Sequence, residues 1–325
     1  MKKGLILLLI LTVLCLAAGC SGSNAPRDID RQEPTGVAGD NRQQDDTPGE
    51  ENNSAYPLEV TDFKGNTVKF AEEPERIVSL SPNITEIIYA LGKGDKLVGR
   101  TALCDYPEEV KDVTVVGDFF EWSFETILSL EPDVVFASSL NTEENEKKLM
   151  ELGVKTVFLT QVESFESTYE TIELVGRVLN AGDRAGEIIN DMKETASKVQ
   201  KATEGKERPS VYYVVGFGEY GDYTATGETF ISSLIEMAGG DNIAAHLTGW
   251  VYSLEKLIQE DPDIIICSEY AKEVFQQTNG YKDLTAVKEG RIYAVDENII
   301  VRQGPRLAEG LVTLYEIFHS ESIPD

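Results

Sequence analysis

From Tyr56 onward the apolar positions follow two periods in turn. "YPLEVTDFKGNTVKF" alternates apolar and polar residues on both sides of Lys64-Gly65-Asn66, which predicts a hairpin closed by a glycine turn. "RIVSLS" then reads as a short buried strand. "PNITEIIYALG" reads as a helix, with Pro82 suited to its first turn and Gly92 to the position past its end. The alternation continues through "KLVGRT", a helix from Ser123, "DVVFA", a helix from Thr142 to Leu152, "KTVFLT", and a helix from about Phe165 to Leu179. Valine and isoleucine runs separated by helical segments predict a mostly parallel sheet with helices on both faces.

"NAGD" interrupts this pattern, and Asp183 is expected to cap a long helix ending near Thr203. Ala185, Ile188, Ile189, Met192, Ala196 and Val199 fall on one stripe of it. Twenty helical residues span about 30 Å, enough for a stiff strut. After "GKERP" the alternation restarts with "SVYYVV", a helix Phe230–Ala238, a helix from Ser253, "DIIIC", "RIYAV" and a final helix Pro305–His319. The expected organisation is an α/β lobe over 56–182, a bridging helix over 183–205 and a second α/β lobe over 206–325.

One device occurs in both lobes. "SFETILSLEPDVVF" begins at Ser123 and "SLEKLIQEDPDIII" at Ser253. Ser123 and Ser253 are expected N-caps, and Phe124, Ile127 and Leu128 match Leu254, Leu257 and Ile258 as the expected buried face. Glu125 and Glu255 fall in the first turn, off that face. A first-turn glutamate is stabilising against the helix dipole by about 0.3–1 kcal/mol. Its repetition at one spacing from Pro-Asp also suits a contact made twice.

The ends add location. "MKKGLILLLILTVLCLAAGC" has Lys2 and Lys3, an apolar run Gly4–Ala18 and a small-residue end at Cys20. The run falls short of the about 20 residues of a spanning helix, so residues 1–20 read as a secretory signal. "LAAGC" resembles a bacterial lipobox, in which Cys20 carries lipid, palmitate included; Ala17 stands where such motifs usually have a large apolar residue. Residues 21–55 hold almost no large apolar side chain and read as a disordered tether with a reach on the order of 30 Å. A net charge of −28 argues against nucleic acid as a partner. Cys104 and Cys267, one in each lobe, are expected to be free and buried.

"GFGEYG" at Gly216–Gly221 satisfies G-x-G-x-x-G, but "DYTATGETF" follows it instead of a helix, so it reads as a glycine-rich turn. Two histidines, His246 and His319, make no metal-binding pair, and no nucleophile elbow occurs. No resident cofactor or metal is expected, and an enzyme reading has no anchor. Aromatic residues cluster before both repeated helices, in "GDFFEW" and "TGWVY". Lying in loops, they suit either a large flat ligand or packing under those loops.

"RIVSLSPNITEIIYALG", "CDYPEEV", "FETILSLEPDVVF" and "LEKLIQEDPDIII" together resemble the solute-binding lipoproteins of ABC importers for cobalamin, siderophore–iron and haem, over about Tyr56 to His319. The resemblance implies two Rossmann-like lobes with mostly parallel sheets, one long bridging helix and little hinge motion. It also implies a monomer, lipid-anchored on the outer face of the cytoplasmic membrane, with a ligand in the inter-lobe cleft. One glutamate per lobe, here Glu125 and Glu255, would dock onto arginines of a permease dimer that carries ATPase subunits. "CDYP" and the loop after it are most similar to the cobalamin branch, which implies ligand contacts at Phe119, Phe120, Trp122, Tyr223, Trp250 and Arg302; Tyr252, opposite Trp122 when the two devices are aligned on their glutamates, is expected to join them. Leu103, Ser138 and Asn298 depart from that branch's pattern, and siderophore or haem is the alternative ligand.

Overall fold

The computed structural model describes residues 55–118, 121–138, 142–159, 164–219 and 221–323. The expected signal, lipid site Cys20 and tether, together with Phe119 and Phe120, lie outside the described residues. Strands β1 (Leu58–Thr61) and β2 (Thr67–Phe70) form the expected antiparallel hairpin. The Asp62 carboxylate closes its turn, accepting from the backbone N–H of Lys64 at 3.0 Å and of Asn66 at 2.8 Å.

The first lobe follows as β3 (Ile77–Ser79), α1 (Pro82–Ala90), β4 (Leu97–Arg100), β5 (Thr114–Val115), α2 (Phe124–Ser129), β6 (Val134–Ser138), α3 (Glu143–Glu151), β7 (Thr156–Leu159) and α4 (Phe165–Val178). Its sheet runs β5-β4-β3-β6-β7, with every pair parallel. Successive strand residues serve opposite faces. Ile77 joins the core under α1 and α4, whereas Val78 joins the one under α2 and α3.

Helix α5 (Gly182–Thr203) crosses to the second lobe. It starts one residue before the expected cap. Ala181 holds the N-cap position without a side-chain bond, and Asp183 lies in the first turn, where its charge suits the helix dipole. The second lobe contains β8 (Ser210–Gly216), β9 (Asp222–Thr224), α6 (Phe230–Met237), β10 (Asp241–Asn242), β11 (Val251–Tyr252), α7 (Leu254–Glu260), β12 (Ile264–Ser268), α8 (Glu269–Gln277), α9 (Thr285–Lys288), β13 (Ile292–Val295), α10 (Glu297–Val301) and α11 (Leu307–His319). β8, β10, β12 and β13 pair in parallel, while β9 and β11 extend the sheet antiparallel. The glycine-rich turn therefore closes a hairpin between β8 and β9 and opens no helix.

The buried stripe of α5, at Ala185, Ile188, Met192 and Val199, belongs to one hydrophobic cluster that includes Ile84 and Val175 of the first lobe and Leu234 and Leu311 of the second. Phe165 and Phe230, at the starts of α4 and α6, meet directly with ring centroids 6.0 Å apart. A continuous close-packed core resists sliding or opening. The two lobes are held as one body.

Candidate functional site: the inter-lobe face and the paired helices

In open α/β sheets, ligands bind outside the carboxyl ends of the strands. Here the segments that follow β3, β4 and β13 at those ends contact one another. Asn83, just after β3, donates from Nδ2 to the Gln303 carbonyl at 3.3 Å. Arg302 Nη1 donates to Glu86 Oε1 at 2.9 Å and to Asp105 Oδ1 at 2.6 Å. Arg306 grips Glu86 in a fork, Nε to Oε2 at 2.9 Å and Nη2 to Oε1 at 2.8 Å. Its guanidinium also lies 3.9 Å from the centre of the Tyr106 ring. Burial pushes the Asp105 carboxyl up, but the Arg302 guanidinium outweighs that and holds it below the usual aspartate range.

Arg302, expected to reach a ligand, is thus engaged in an ion cluster between the lobes. Glu86, Asp105 and Arg306, which complete the cluster, were not singled out from the sequence. Two signals were available: a glutamate in the middle of the apolar run "ITEII", and arginines four apart around Gly304-Pro305. Beside the cluster, Glu86, Tyr89, Tyr106, Pro107, Pro305 and Arg306 help line a cavity of about 470 Å³.

The aromatic residues divide into two sets. Tyr223, in β9, and Trp250, just before β11, are exposed and lie one register step apart. Val251 pairs with Tyr223 in register, and the Thr224 N–H donates to the Trp250 carbonyl at 2.9 Å. Trp122 and Tyr252 correct the expectation that these loops leave their rings free. Trp122 is 6% exposed and packs with Val78, Leu80 and Ile127. Tyr252, 5% exposed, lies 5.4 Å from the Tyr212 ring. Both rings are buried in their own lobe's core.

The cause is local. Gly117 and Trp122 form an isolated antiparallel bridge, and Gly117 adopts φ 138°, a conformation open to glycine. A Cβ at that position would lie 2.2 Å from the Glu121 carbonyl oxygen. The bridge to Gly117 holds Trp122 inward. Tyr252 is turned inward by the short strand β11.

The repeated helices are built alike. Ser123 Oγ accepts from the Thr126 N–H at 3.3 Å, and Ser253 Oγ from the Lys256 N–H at 3.2 Å. Glu125 and Glu255 are exposed in the first turns, and no ion pair or side-chain hydrogen bond holds either carboxylate among the described residues. Ile127 and Leu257 are buried as expected, but Leu128 and Ile258 are not: they are 41% and 49% exposed. Helices of six and seven residues are too short to keep a second stripe position under cover. Cys104 and Cys267 are free and buried. No group of residues that could hold a metal ion occurs among the described residues, and no described helix is long and apolar enough to cross a membrane.

Residues 77–299 match a family profile described as periplasmic binding protein. An uncharacterized ABC transporter substrate-binding lipoprotein of Bacillus subtilis, YvrC, is 33% identical over 290 residues, which cover 87% of this chain and 92% of that protein. A cobalamin-binding protein of Halobacterium salinarum is 27% identical over 284 residues, 83% of this chain and 76% of its own. Among solved structures, the periplasmic heme-binding protein RhuT of Roseiflexus, in apo form, superposes with a TM-score of 0.69 at 27% identity, covering 76% of this chain and 98% of that one.

Proposed function

The chain belongs to the periplasmic binding protein family, and from that premise we propose that it captures a corrinoid, cobalamin or a near relative, and delivers it to an ABC importer. It is a solute-binding protein of ABC transport and not an enzyme. The observation that carries the corrinoid reading is the exposure of two aromatic rings of the second lobe, Tyr223 in β9 and Trp250 just before β11. Flat rings with polar edges suit the rim of a large, partly apolar macrocycle. Phe119 and Phe120 would add to that rim from the first lobe. The cobalamin-binding relative favours the same solute, and the likeness to a haem-binding protein makes haem the second reading.

Delivery in this reading runs through Glu125 and Glu255, which dock onto cations of a permease dimer carrying ATPase subunits. Cys20 carries the lipid that holds the monomer on the outer face of the cytoplasmic membrane; the Bacillus relative is itself named a lipoprotein. The test is calorimetric titration of the full-length protein in detergent with cyanocobalamin, cobinamide, haem and a ferric hydroxamate siderophore. A corrinoid should bind with micromolar or tighter affinity, about −8 kcal/mol, and Trp250→Ala should weaken it by about tenfold or more. Binding of haem or the siderophore without binding of cobalamin would overturn the corrinoid assignment.

A further inference from the structure

Residues 121–129 and 251–259 share one burial pattern, position for position. Within it, Leu128 follows Glu125 by three residues and Ile258 follows Glu255 by three. Residues three apart on a helix share a face, so each lobe presents an acid beside an aliphatic side chain. Ser129 and Gln259, one position further on, are also exposed. Scattered exposed aliphatics need no explanation. Two at matched places, each beside a carboxylate with no partner among the described residues, do.

We propose that Leu128 and Ile258 are the apolar anchors of two equivalent docking contacts, one per lobe, through which the chain seats on a two-fold membrane partner. At each contact that partner offers a cation to the glutamate and an apolar side chain to the aliphatic. The proposal rests on the reading that the chain serves an importer, and it adds what holds the complex once formed. Charge selects the occupant. A second copy of this chain would set carboxylate against carboxylate, between molecules each carrying a net charge of −28. Two copies of one device on a single chain call for two equivalent sites on the other side, which a two-fold partner has.

The two residue types divide the work. Exposed charges steer encounter and are screened by salt. Burial of an aliphatic side chain is insensitive to salt and slows dissociation. The test places a photo-crosslinking benzoylphenylalanine at Ser129 or at Gln259 of the full-length lipidated chain, in isolated membranes of its host. Both positions should capture the same integral membrane subunit of an ABC importer, identified by mass spectrometry. Leu128→Ser with Ile258→Ser should lower the yield by about fivefold or more at both low and high salt, with melting unchanged. Leu128→Met with Ile258→Val should restore it. Wild-type yield from the double serine variant, alongside loss in Glu125→Arg with Glu255→Arg, would overturn the apolar anchors and leave the docking reading standing. Cross-links to a second copy of the chain, or yields that neither double variant lowers, would overturn the docking reading as well.

Discussion

Glu73 lies where three segments converge. Lys93 donates to its Oε1 at 2.7 Å, Lys96 donates to the same oxygen, and Asn180, just before α5, donates to Oε2 at 2.9 Å. Burial alone would raise this carboxyl's pKa, but the donated hydrogen bonds outweigh it and bring it to about 2. A carboxylate with a depressed folded pKa adds stability that is complete above its unfolded value and lost as pH falls toward the folded one. Glu73→Gln should therefore cost about 2 kcal/mol at pH 7, with the difference from wild type shrinking between about pH 4.5 and pH 2. Urea unfolding at pH 7 and pH 3 would read this, and an equal loss at both would refute it. Trp122 makes a second residue-scale case. As a core side chain, its replacement by alanine should cost about 3–5 kcal/mol of stability, seen as a lowered melting temperature without ligand. Its aromatic cluster was visible in the sequence, but its inward turn was not. That turn depends on the backbone conformation of Gly117, which no hydrophobic period records.

At the scale of elements, the longer segments were legible because each buries a face of known period. The strands β3, β6, β8 and β12 are Val/Ile runs, and α1, α4 and α5 carry continuous stripes. The elements that escaped were short or polar. β9 and β11 hold three and two residues, too few for alternation to register. Helix α8 buries only Phe275, so its sequence carries almost no stripe. The ion cluster between the lobes escaped for another reason: its partners are about 200 residues apart in the chain and meet only after folding. Glu86 is nearly fully buried and faces both Arg302 and Arg306. Removing one member of a buried ion pair strands the others and typically costs about 3–5 kcal/mol. Glu86→Gln should cost at least the lower end of that range and widen the angle between the lobes. Thermal unfolding and small-angle scattering would check the two effects, and an unchanged melting temperature would show that the arginines find other partners.

At the scale of the whole molecule, rigidity and repetition belong together. One hydrophobic cluster runs from α1 through α5 to α11, and α2 and α7 pack on the other faces of the two sheets it joins, which carries them at a nearly constant separation. A fixed separation lets a partner with two equivalent sites engage both helices at once. The second contact then forms at a high effective concentration set by the first. This bears on how the glutamates should respond to substitution. Both are exposed in first turns, so each contributes at most about 1 kcal/mol to folding through the helix dipole. Under the proposed docking, each also meets a cation across an interface that excludes some water, where breaking a charge pair can cost about 2–5 kcal/mol of association and reversing the charge adds repulsion. Glu125→Arg with Glu255→Arg should therefore bind cyanocobalamin normally and melt near wild type, yet fail to support its uptake by cells or to stimulate ATP hydrolysis by the importer. Each single reversal should be milder, because the remaining lobe still engages and keeps the second site within reach. Uptake at limiting cyanocobalamin is the decisive measurement. Normal uptake by the double variant would leave both glutamates as surface acids that steady their own helices and nothing more.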